Sequence, residues 1–129
     1  MSLKFLAVMC LLFAAALYAA QTMPSGVKEM KTDSGTTVLA NSKGMTLYTY
    51  NKDEKDKSMC NGTCATNWPP LMAAANAKSE GAWMVITRED GTKQWAYNGK
   101  PLYTFAHDTK AGETKGNGMG DGAWEIAKP

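Results

Sequence analysis

Two stretches of the sequence state nearly the same ten residues, GMTLYTYNKD at 44–53 and GKPLYTFAHD at 99–108. Glycine, leucine, tyrosine, threonine, an aromatic residue and a final aspartate recur at a fixed offset of 55 positions. Successive side chains of a β-strand point to opposite faces of the sheet. Each copy therefore places two aromatic rings on one face of a strand, and a leucine and a threonine on the other. The repetition predicts a single domain built from two equivalent halves.

The motif offers two interpretations, and the sequence leaves both open. Its residues are Tyr48, Tyr50 and Asp53 in the first copy, and Tyr103, Phe105 and Asp108 in the second. An aspartate at the end of a strand can accept hydrogen bonds from the backbone N–H groups of the following turn. The rings would then fill a core while the aspartates cap turns. Alternatively, the four rings line a shared groove and the two aspartates provide its polar contacts.

Each copy of the motif leads through a loop to a tryptophan, Trp68 in the first copy and Trp124 in the second. The first loop contains Cys60 and Cys64, whereas the second contains glycines over 116–120. A disulfide and a run of glycines are two ways to bend a loop back sharply.

The rest of the chain has the pattern of an all-β protein. Period-two alternation and β-branched or aromatic residues mark seven short segments. These are VKEMKT (27–32), TTVLA (36–40), MTLYTY (45–50), WMVITR (83–88), KQWAY (93–97), PLYTF (101–105) and AWEIA (123–127). Asp90-Gly91 and Asn98-Gly99 are hairpin signals. LMAAANAKSE (71–80) is predicted to be helical and the glycine-rich 108–122 stretch an irregular loop.

These segments predict a small antiparallel all-β domain of about six or seven strands with one short helical segment. It would consist of two tandem repeats at about 35–75 and 90–127. Residues 1–20 combine a basic start, an apolar centre and a small-residue end, the layout of a signal peptide. We expect cleavage near Ala19 or Ala20, which leaves 21–129 as one secreted or periplasmic domain.

The charge pattern excludes several classes of partner. The whole chain has a formal net charge of +2, and without Lys4 it carries about +1. Charges alternate in sign along KDEKDK (52–57) and TREDGTK (87–93). A nucleic-acid-binding protein would show a basic stripe, and a membrane-surface helix a basic amphipathic face. We therefore expect no nucleic-acid partner, and no transmembrane segment in the mature chain.

The pair Cys60 and Cys64 predicts a structural disulfide, because exported proteins mature under oxidising conditions. Two alternatives stay open. A thioredoxin-like redox pair has two intervening residues, whereas this pair has three. A zinc site needs four ligands, and the two cysteines with His107 supply three. Cys10 would leave with the signal peptide, and the residues before it are not those of a lipid-attachment site.

The chain resembles a bacterial secreted-repeat family, also called predicted lipoproteins, whose motif is Y-x-[FWY]-x-x-D. The resemblance rests on Tyr48–Asp53, on Cys60–Pro70, on Asp90–Gln94, on Tyr97–Phe105, and on Asp108 and Gly112. It covers most of residues 35–127. The resemblance implies an exported bacterial protein whose biochemical role is not established.

The residues favour a non-enzymatic role without a cofactor. The sole histidine, His107, has no serine motif to serve, and carboxylates at strand ends mostly cap turns. We expect a binding or interaction module of the envelope, whose partner is an envelope protein or a small ligand. The alternative is a periplasmic copper or electron-transfer accessory protein. It is motivated by the seven methionines after residue 20, whose thioether sulfurs suit copper.

Overall fold

The computed structural model describes residues 23–129, and the predicted signal peptide lies outside them. The strands within this range are β1 (Val27–Lys31), β2 (Thr37–Asn41), β3 (Tyr48–Tyr50), β4 (Trp83–Thr87), β5 (Lys93–Tyr97), β6 (Lys100–Pro101) and β7 (Trp124–Ile126). They form three antiparallel sheets, with orders β1-β2, β3-β7 and β4-β5-β6. The all-β prediction is confirmed. None of the helices in the described range is long and apolar enough to cross a bilayer.

Two hairpins of the same construction begin the two halves. β1 pairs with β2 from Val27↔Asn41 onward, and β4 pairs with β5 from Trp83↔Tyr97 onward, so corresponding residues are 56 apart. The turns contain Gly35 and Gly91, at φ +87° and +86°. Only glycine adopts such left-handed angles without a steric penalty. Equivalent residues therefore occupy equivalent places on either side of an approximate two-fold axis.

The helix predicted over 71–80 is wrong, because this stretch contains no helical residue. Its first residues are instead hydrogen-bonded to strands: the Leu71 N–H donates to the Leu102 carbonyl, and the Leu71 carbonyl accepts from Trp95 N–H. An alanine-rich stretch this short gains too little from helix formation to overcome the cost of nucleation. Backbone pairing with strands of the other half takes precedence.

The observed helices are short and lie in the two loops. α1 (Thr63–Asn67) includes Cys64 of the first loop. α2 (Met119–Gly122) is a single distorted turn in the glycine-rich stretch, with Gly120 and Asp121 in left-handed conformations. The PLYTF segment is a strand only at its start, since β6 ends at Pro101. Tyr103 then forms isolated bridges with Tyr48 and Pro70.

The last segment of each half of the domain pairs with the other half. β7 pairs with β3 of the first half, and the Ala127 N–H donates to the Leu47 carbonyl. In the other direction, the segment from Pro69 to Leu71 pairs with the second half. The Thr104 N–H donates to the Pro69 carbonyl, and the Leu71 N–H donates to the Leu102 carbonyl. Neither half is therefore complete without the other.

The alternation in the repeated motif separates two buried clusters. Tyr48 and Tyr103 lie in an aromatic cluster, and Leu47 and Leu102 lie in a second, largely aliphatic one. The aromatic cluster consists of Tyr48, Cys60, Trp68, Tyr103, Phe105, Ala123 and Trp124. The second cluster consists of Leu39, Leu47, Trp83, Trp95, Leu102 and Ala127. The two faces of the motif thus contribute to two separate buried clusters.

Candidate functional site

The centre of the molecule is a reciprocal pair of tyrosines. The backbones of Tyr48 and Tyr103 exchange hydrogen bonds, with N···O distances of 2.7 and 3.0 Å, and both side chains are fully buried. Each hydroxyl donates to the aspartate of the other half: Tyr48 to Asp108 at 2.5 Å, and Tyr103 to Asp53 at 2.7 Å. We call these the crossed Tyr–Asp pairs. They connect the two copies of the motif side chain to side chain.

The aspartates also accept hydrogen bonds from the loop that follows each of them. Asp53 Oδ1 accepts from the Met59 N–H at 2.7 Å, and Asp108 Oδ1 accepts from the Lys115 N–H at 2.9 Å. The expected interaction with turn backbone is therefore present. The hydrogen bond from a tyrosine of the other copy was not predicted from the sequence. The spacing of the motif does not indicate which tyrosine contacts which aspartate.

Four rings form one stack whose two halves are related by the approximate two-fold axis, which passes between Trp68 and Trp124. Trp68 and Trp124 are parallel, with centroids 3.8 Å apart and planes at 2°. Phe105 stacks on the outer face of Trp68 at 4.3 Å, and Tyr50 stacks on Trp124 at 4.2 Å. The order of rings is therefore Phe105, Trp68, Trp124, Tyr50, and each outer ring comes from the half opposite to its neighbour. Aromatic stacking stabilises the folded state beyond the effect of burying the apolar area of the rings.

The environment raises the pKa of both central tyrosines. Burial is the largest cause for Tyr48 and for Tyr103, and the carboxylate next to each hydroxyl raises the pKa further. Burial also raises the pKa of Asp53, against the opposing effect of the N–H and O–H groups that it accepts from. The tyrosines therefore remain protonated donors at neutral pH. Buried hydroxyls without access to ligand fit a scaffold better than a binding surface.

A buried arginine, Arg88, is connected by hydrogen bonds to only one of the crossed Tyr–Asp pairs. Arg88 is 6% exposed and donates to Ser58 Oγ at 3.0 Å, to Gln94 Oε1 at 2.8 Å and to the Cys60 carbonyl at 2.7 Å. Ser58 Oγ lies 2.6 Å from the Tyr103 hydroxyl, so a continuous network connects Arg88 to the Tyr103–Asp53 pair. Hydrogen bonds to a charged donor are stronger than neutral ones. We call this group the Arg88 network.

Sequence reasoning missed Arg88, although one signal was available. The chain contains thirteen lysines and one arginine. Lysine serves exposed charge well, whereas the planar fork of arginine suits buried, multidentate hydrogen bonding. A sole arginine at the end of a strand was therefore a candidate for a special structural position.

The disulfide prediction is confirmed. The sulfur atoms of Cys60 and Cys64 are bonded, with the Cα atoms 5.2 Å apart. Cys60 is fully buried in the aromatic cluster. In the second half Gly116 approaches the same rings, where an added Cβ would lie 2.6 Å from a ring carbon of Trp68. The two loops thus reach the core by different means.

An open groove runs along the surface where β3 and β6 diverge. It consists of two adjoining hollows of about 350 and 320 Å³ that share Thr49, Asn98, Lys100 and Glu125. Tyr50 and Asp53 line its first hollow, and Tyr97 lines its second. We call it the β3–β6 groove. Of the six motif residues, Tyr50 and Asp53 therefore border this open surface, while Tyr48, Tyr103, Phe105 and Asp108 are buried.

The turn that borders the groove, Asn98-Gly99, is a tight hairpin turn. Asn98 and Gly99 have φ values of +51° and +80°, as in the tight two-residue turns of hairpins. The Gly99 carbonyl accepts from the Asp56 N–H at 2.8 Å, which ties this turn to the loop after Asp53. On the other side of the axis, a Cβ at the equivalent Gly44 would lie 3.0 Å from Ala111 Cβ. A Cβ at Gly99 would likewise lie 3.1 Å from Lys55 Cγ, so a side chain packs against both glycines.

Metal ligands do not converge in the described part of the chain. No group of three or more His, Cys, Asp or Glu side chains in residues 23–129 could hold an ion. His107 is exposed and faces the Phe105 ring edge-on at 5.2 Å. Five methionines are between 37% and 52% exposed, namely Met23, Met59, Met72, Met84 and Met119.

Comparison with known proteins gives one match. A family model described as a secreted repeat of unknown function matches the chain twice, over residues 28–72 and 84–128. Each match begins in the first strand of a hairpin and ends just after the segment that pairs with the other half. No curated protein and no solved structure matches the chain. The matched units are hereafter the first and second repeat units.

Proposed function

Because the chain belongs to the family of secreted repeats of unknown function, we propose that it is an exported, non-enzymatic binding module of the bacterial envelope. The β3–β6 groove is its ligand site. The groove itself is the observation that supports this proposal. Its two hollows are each within the size range of small-ligand sites, and they lie on strands and a tight turn rather than on a long loop.

The groove wall carries charges of both signs. Glu54 and Lys55 line the first hollow, and Lys100 and Glu125 are shared by both hollows. Lys128 extends the second hollow. A ligand that complements this wall carries both an ammonium and a carboxylate group. The tyrosine rings, Tyr50 and Tyr97, offer apolar contact between the charged positions. A short zwitterionic peptide segment fits this combination.

The arrangement offers little for catalysis. The crossed Tyr–Asp pairs and the Arg88 network are buried, and the carboxylate oxygens of Asp53 are both engaged by protein donors. Groups that are hydrogen-bonded in this way position the chain rather than transfer protons to a ligand. Binding is therefore the activity that the accessible surface supports.

The test is a chemical-shift titration of ¹⁵N-labelled protein with a pool of synthetic zwitterionic tri- to hexapeptides. We expect shifts concentrated at the amides of Thr49, Tyr50, Asn98 and Glu125, and loss of those shifts in Lys100→Glu. Lys28→Glu changes an equally exposed lysine on the remote hairpin and should titrate like the wild type. Shifts that arise elsewhere, or no shift at millimolar peptide, would refute this site.

A copper accessory role is the second candidate, and the exposed methionines support it. Met59, Met72, Met84 and Met119 are between 40% and 52% exposed instead of filling the core. Soft sulfur ligands select Cu(I). Titration with Cu(I) under anaerobic conditions should then give a saturable complex that methionine-to-leucine variants weaken. Stoichiometric binding that those variants leave unchanged would exclude the methionines as ligands.

A further inference from the structure

The two repeat units are interlocked rather than merely adjacent. β7 of the second unit pairs with β3 of the first, and the 69–71 segment of the first unit pairs with the second. Each of these segments is the last part of its own unit. The exchange is reciprocal, because the same backbone contacts are made in both directions by residues 55 or 56 positions apart.

The side-chain contacts at the centre follow the same rule. Both crossed Tyr–Asp pairs join one unit to the other, and so does the stack of Trp68 on Trp124. The outer rings also stack on the tryptophan of the opposite unit. The aromatic cluster is therefore an interface between two similar units, and each unit would expose a large apolar surface without its partner.

A single linker connects the interlocked units. Between Ala73, whose N–H donates to Lys93, and the start of β4 at Trp83, nine residues (74–82) run mainly exposed. Several backbone hydrogen bonds of this linker are local, and join residues three positions apart, such as Ala77 N–H to the Ala74 carbonyl. The later part of the linker is tied to the second unit: Val85 N–H donates to Ser79 Oγ at 2.8 Å, and Asn98 N–H donates to the Ala82 carbonyl. Ala77 is half-buried against the second cluster.

From this construction we infer that the protein forms exchanged dimers with a second copy of its own chain. The first unit of one chain pairs with the second unit of the other, and conversely. Every contact between units is the same in the monomer and in the dimer, so the balance depends on the linker and on concentration. The linker keeps the two units of one chain at high effective concentration, and this favours the monomer when the protein is dilute.

The exchanged dimer also changes how the surface is presented. β3 belongs to the first unit, whereas β6 and β7 belong to the second. Each β3–β6 groove of the dimer would therefore be built from two chains, and the dimer would display two grooves joined by two linkers. The inference stands on the contacts between units and does not require that the groove binds a ligand.

The test compares the chain from residue 21 with a variant that lacks residues 74–78, using light scattering after size-exclusion chromatography. Shortening the linker should raise the dimer fraction more than tenfold at equal concentration. A variant with five glycine or serine residues inserted at the same place is the matched control, and it should stay monomeric. A folded deletion variant that remains monomeric would overturn the inference.

A second measurement uses the wild-type chain and covers the case in which the deletion prevents folding. Labelled and unlabelled proteins are unfolded in urea, mixed at millimolar concentration, refolded together and analysed by native mass spectrometry. Mixed-label dimers that persist on dilution are expected, because separation requires unfolding. Recovery of monomers alone would overturn the inference. So would mixed dimers that form equally well when the folded proteins are combined without urea, since these would be surface contacts.

Discussion

Asp53 and Asp108 are equivalent aspartates, but the loops that follow them differ. The first is closed by the Cys60–Cys64 disulfide and lies against the Arg88 network. The second has glycines in place of the cysteines, and it brings Gly116 N–H to within 3.3 Å of the Tyr48 hydroxyl. Thr32 occupies the position that corresponds to Arg88, at the start of the equivalent hairpin turn.

The difference shows which parts of a duplicated fold are interchangeable. The tyrosines, the aspartates and the tryptophans lie on or near the two-fold axis, where each residue contacts the other unit. A change there alters both units at once. The loops packed around this centre differ: the first has the Cys60–Cys64 disulfide and accepts hydrogen bonds from Arg88, whereas the second has Gly116 against Trp68. The central tyrosines, aspartates and tryptophans retain the symmetry, and the loops packed against them do not.

The largest expected effect concerns the central tyrosines, where the two regions should behave alike. Tyr48→Ala and Tyr103→Ala should each lower the free energy of unfolding by about 3–5 kcal/mol, as for other buried aromatic residues. Both should unfold the domain in one transition, measured by urea denaturation. If both variants melt within a degree or two of the wild type, these rings do not hold the units together.

Arg88 should distinguish the two regions. Arg88→Met removes the donor to Ser58, Gln94 and the Cys60 carbonyl, and should cost about 2–3 kcal/mol because buried acceptors lose a charged partner. Lys31→Met, at an exposed position on β1, is the control and should change stability by less than about 0.5 kcal/mol. An Arg88→Met protein as stable as the wild type would show that the network contributes nothing net.

The disulfide should contribute a smaller amount. Cys60→Ala combined with Cys64→Ala should lower stability by about 2 kcal/mol, since the closed loop is short. The fold should survive, because the second unit builds its corresponding loop without a disulfide. Reversible denaturation followed by tryptophan fluorescence measures the difference. Failure of the double variant to fold would mean that the first loop depends on its covalent link.

The smallest effect concerns acid, where the two loops should respond with opposite sign. Hydrogen bonds from the backbone and hydroxyl of Thr109 and from Lys110 N–H lower the pKa of Glu113 to about 2. Glu113 thus contributes stability above its unfolded pKa, and this contribution is lost as the pH falls towards about 2. Burial raises the pKa of Asp53, so its contribution is present in acid and lost as the pH rises through the folded pKa.

Two variants separate these contributions in melting temperature measured from pH 7 to pH 2. Glu113→Gln should flatten the loss of stability in acid, whereas Asp53→Asn should make that loss steeper. Identical profiles for the two variants would contradict the assignment of opposite shifts.

Much of the fold was predictable because its signals are local. Alternation identified six of the seven strands in the described range and only the last residue of β6, and the spacing of Cys60 and Cys64 indicated their bond. The helix at 71–80 failed because backbone pairing of Leu71 with the second unit decides that segment. Pairing between distant segments leaves no trace in a window of ten residues.

The candidate site was less predictable for the same reason. The motif placed a tyrosine and an aspartate in each copy, but the sequence does not say that each pair forms across the copies. The β3–β6 groove lies beyond the single bridge between Tyr48 and Tyr103, and Tyr50 and Lys100 line it. Such geometry is set by packing of whole units, and not by the residues of one strand.

The reciprocal construction is tested most directly by double-mutant cycles on stability, with Tyr→Phe and Asp→Asn at the four central positions. Cycles isolate the interaction between two residues from their separate effects. We expect a coupling energy of about 1–3 kcal/mol for Tyr48 with Asp108 and for Tyr103 with Asp53. For Tyr48 with Asp53, and Tyr103 with Asp108, the coupling should be near zero. Coupling within each copy of the motif instead of between the copies would contradict the interlocked arrangement.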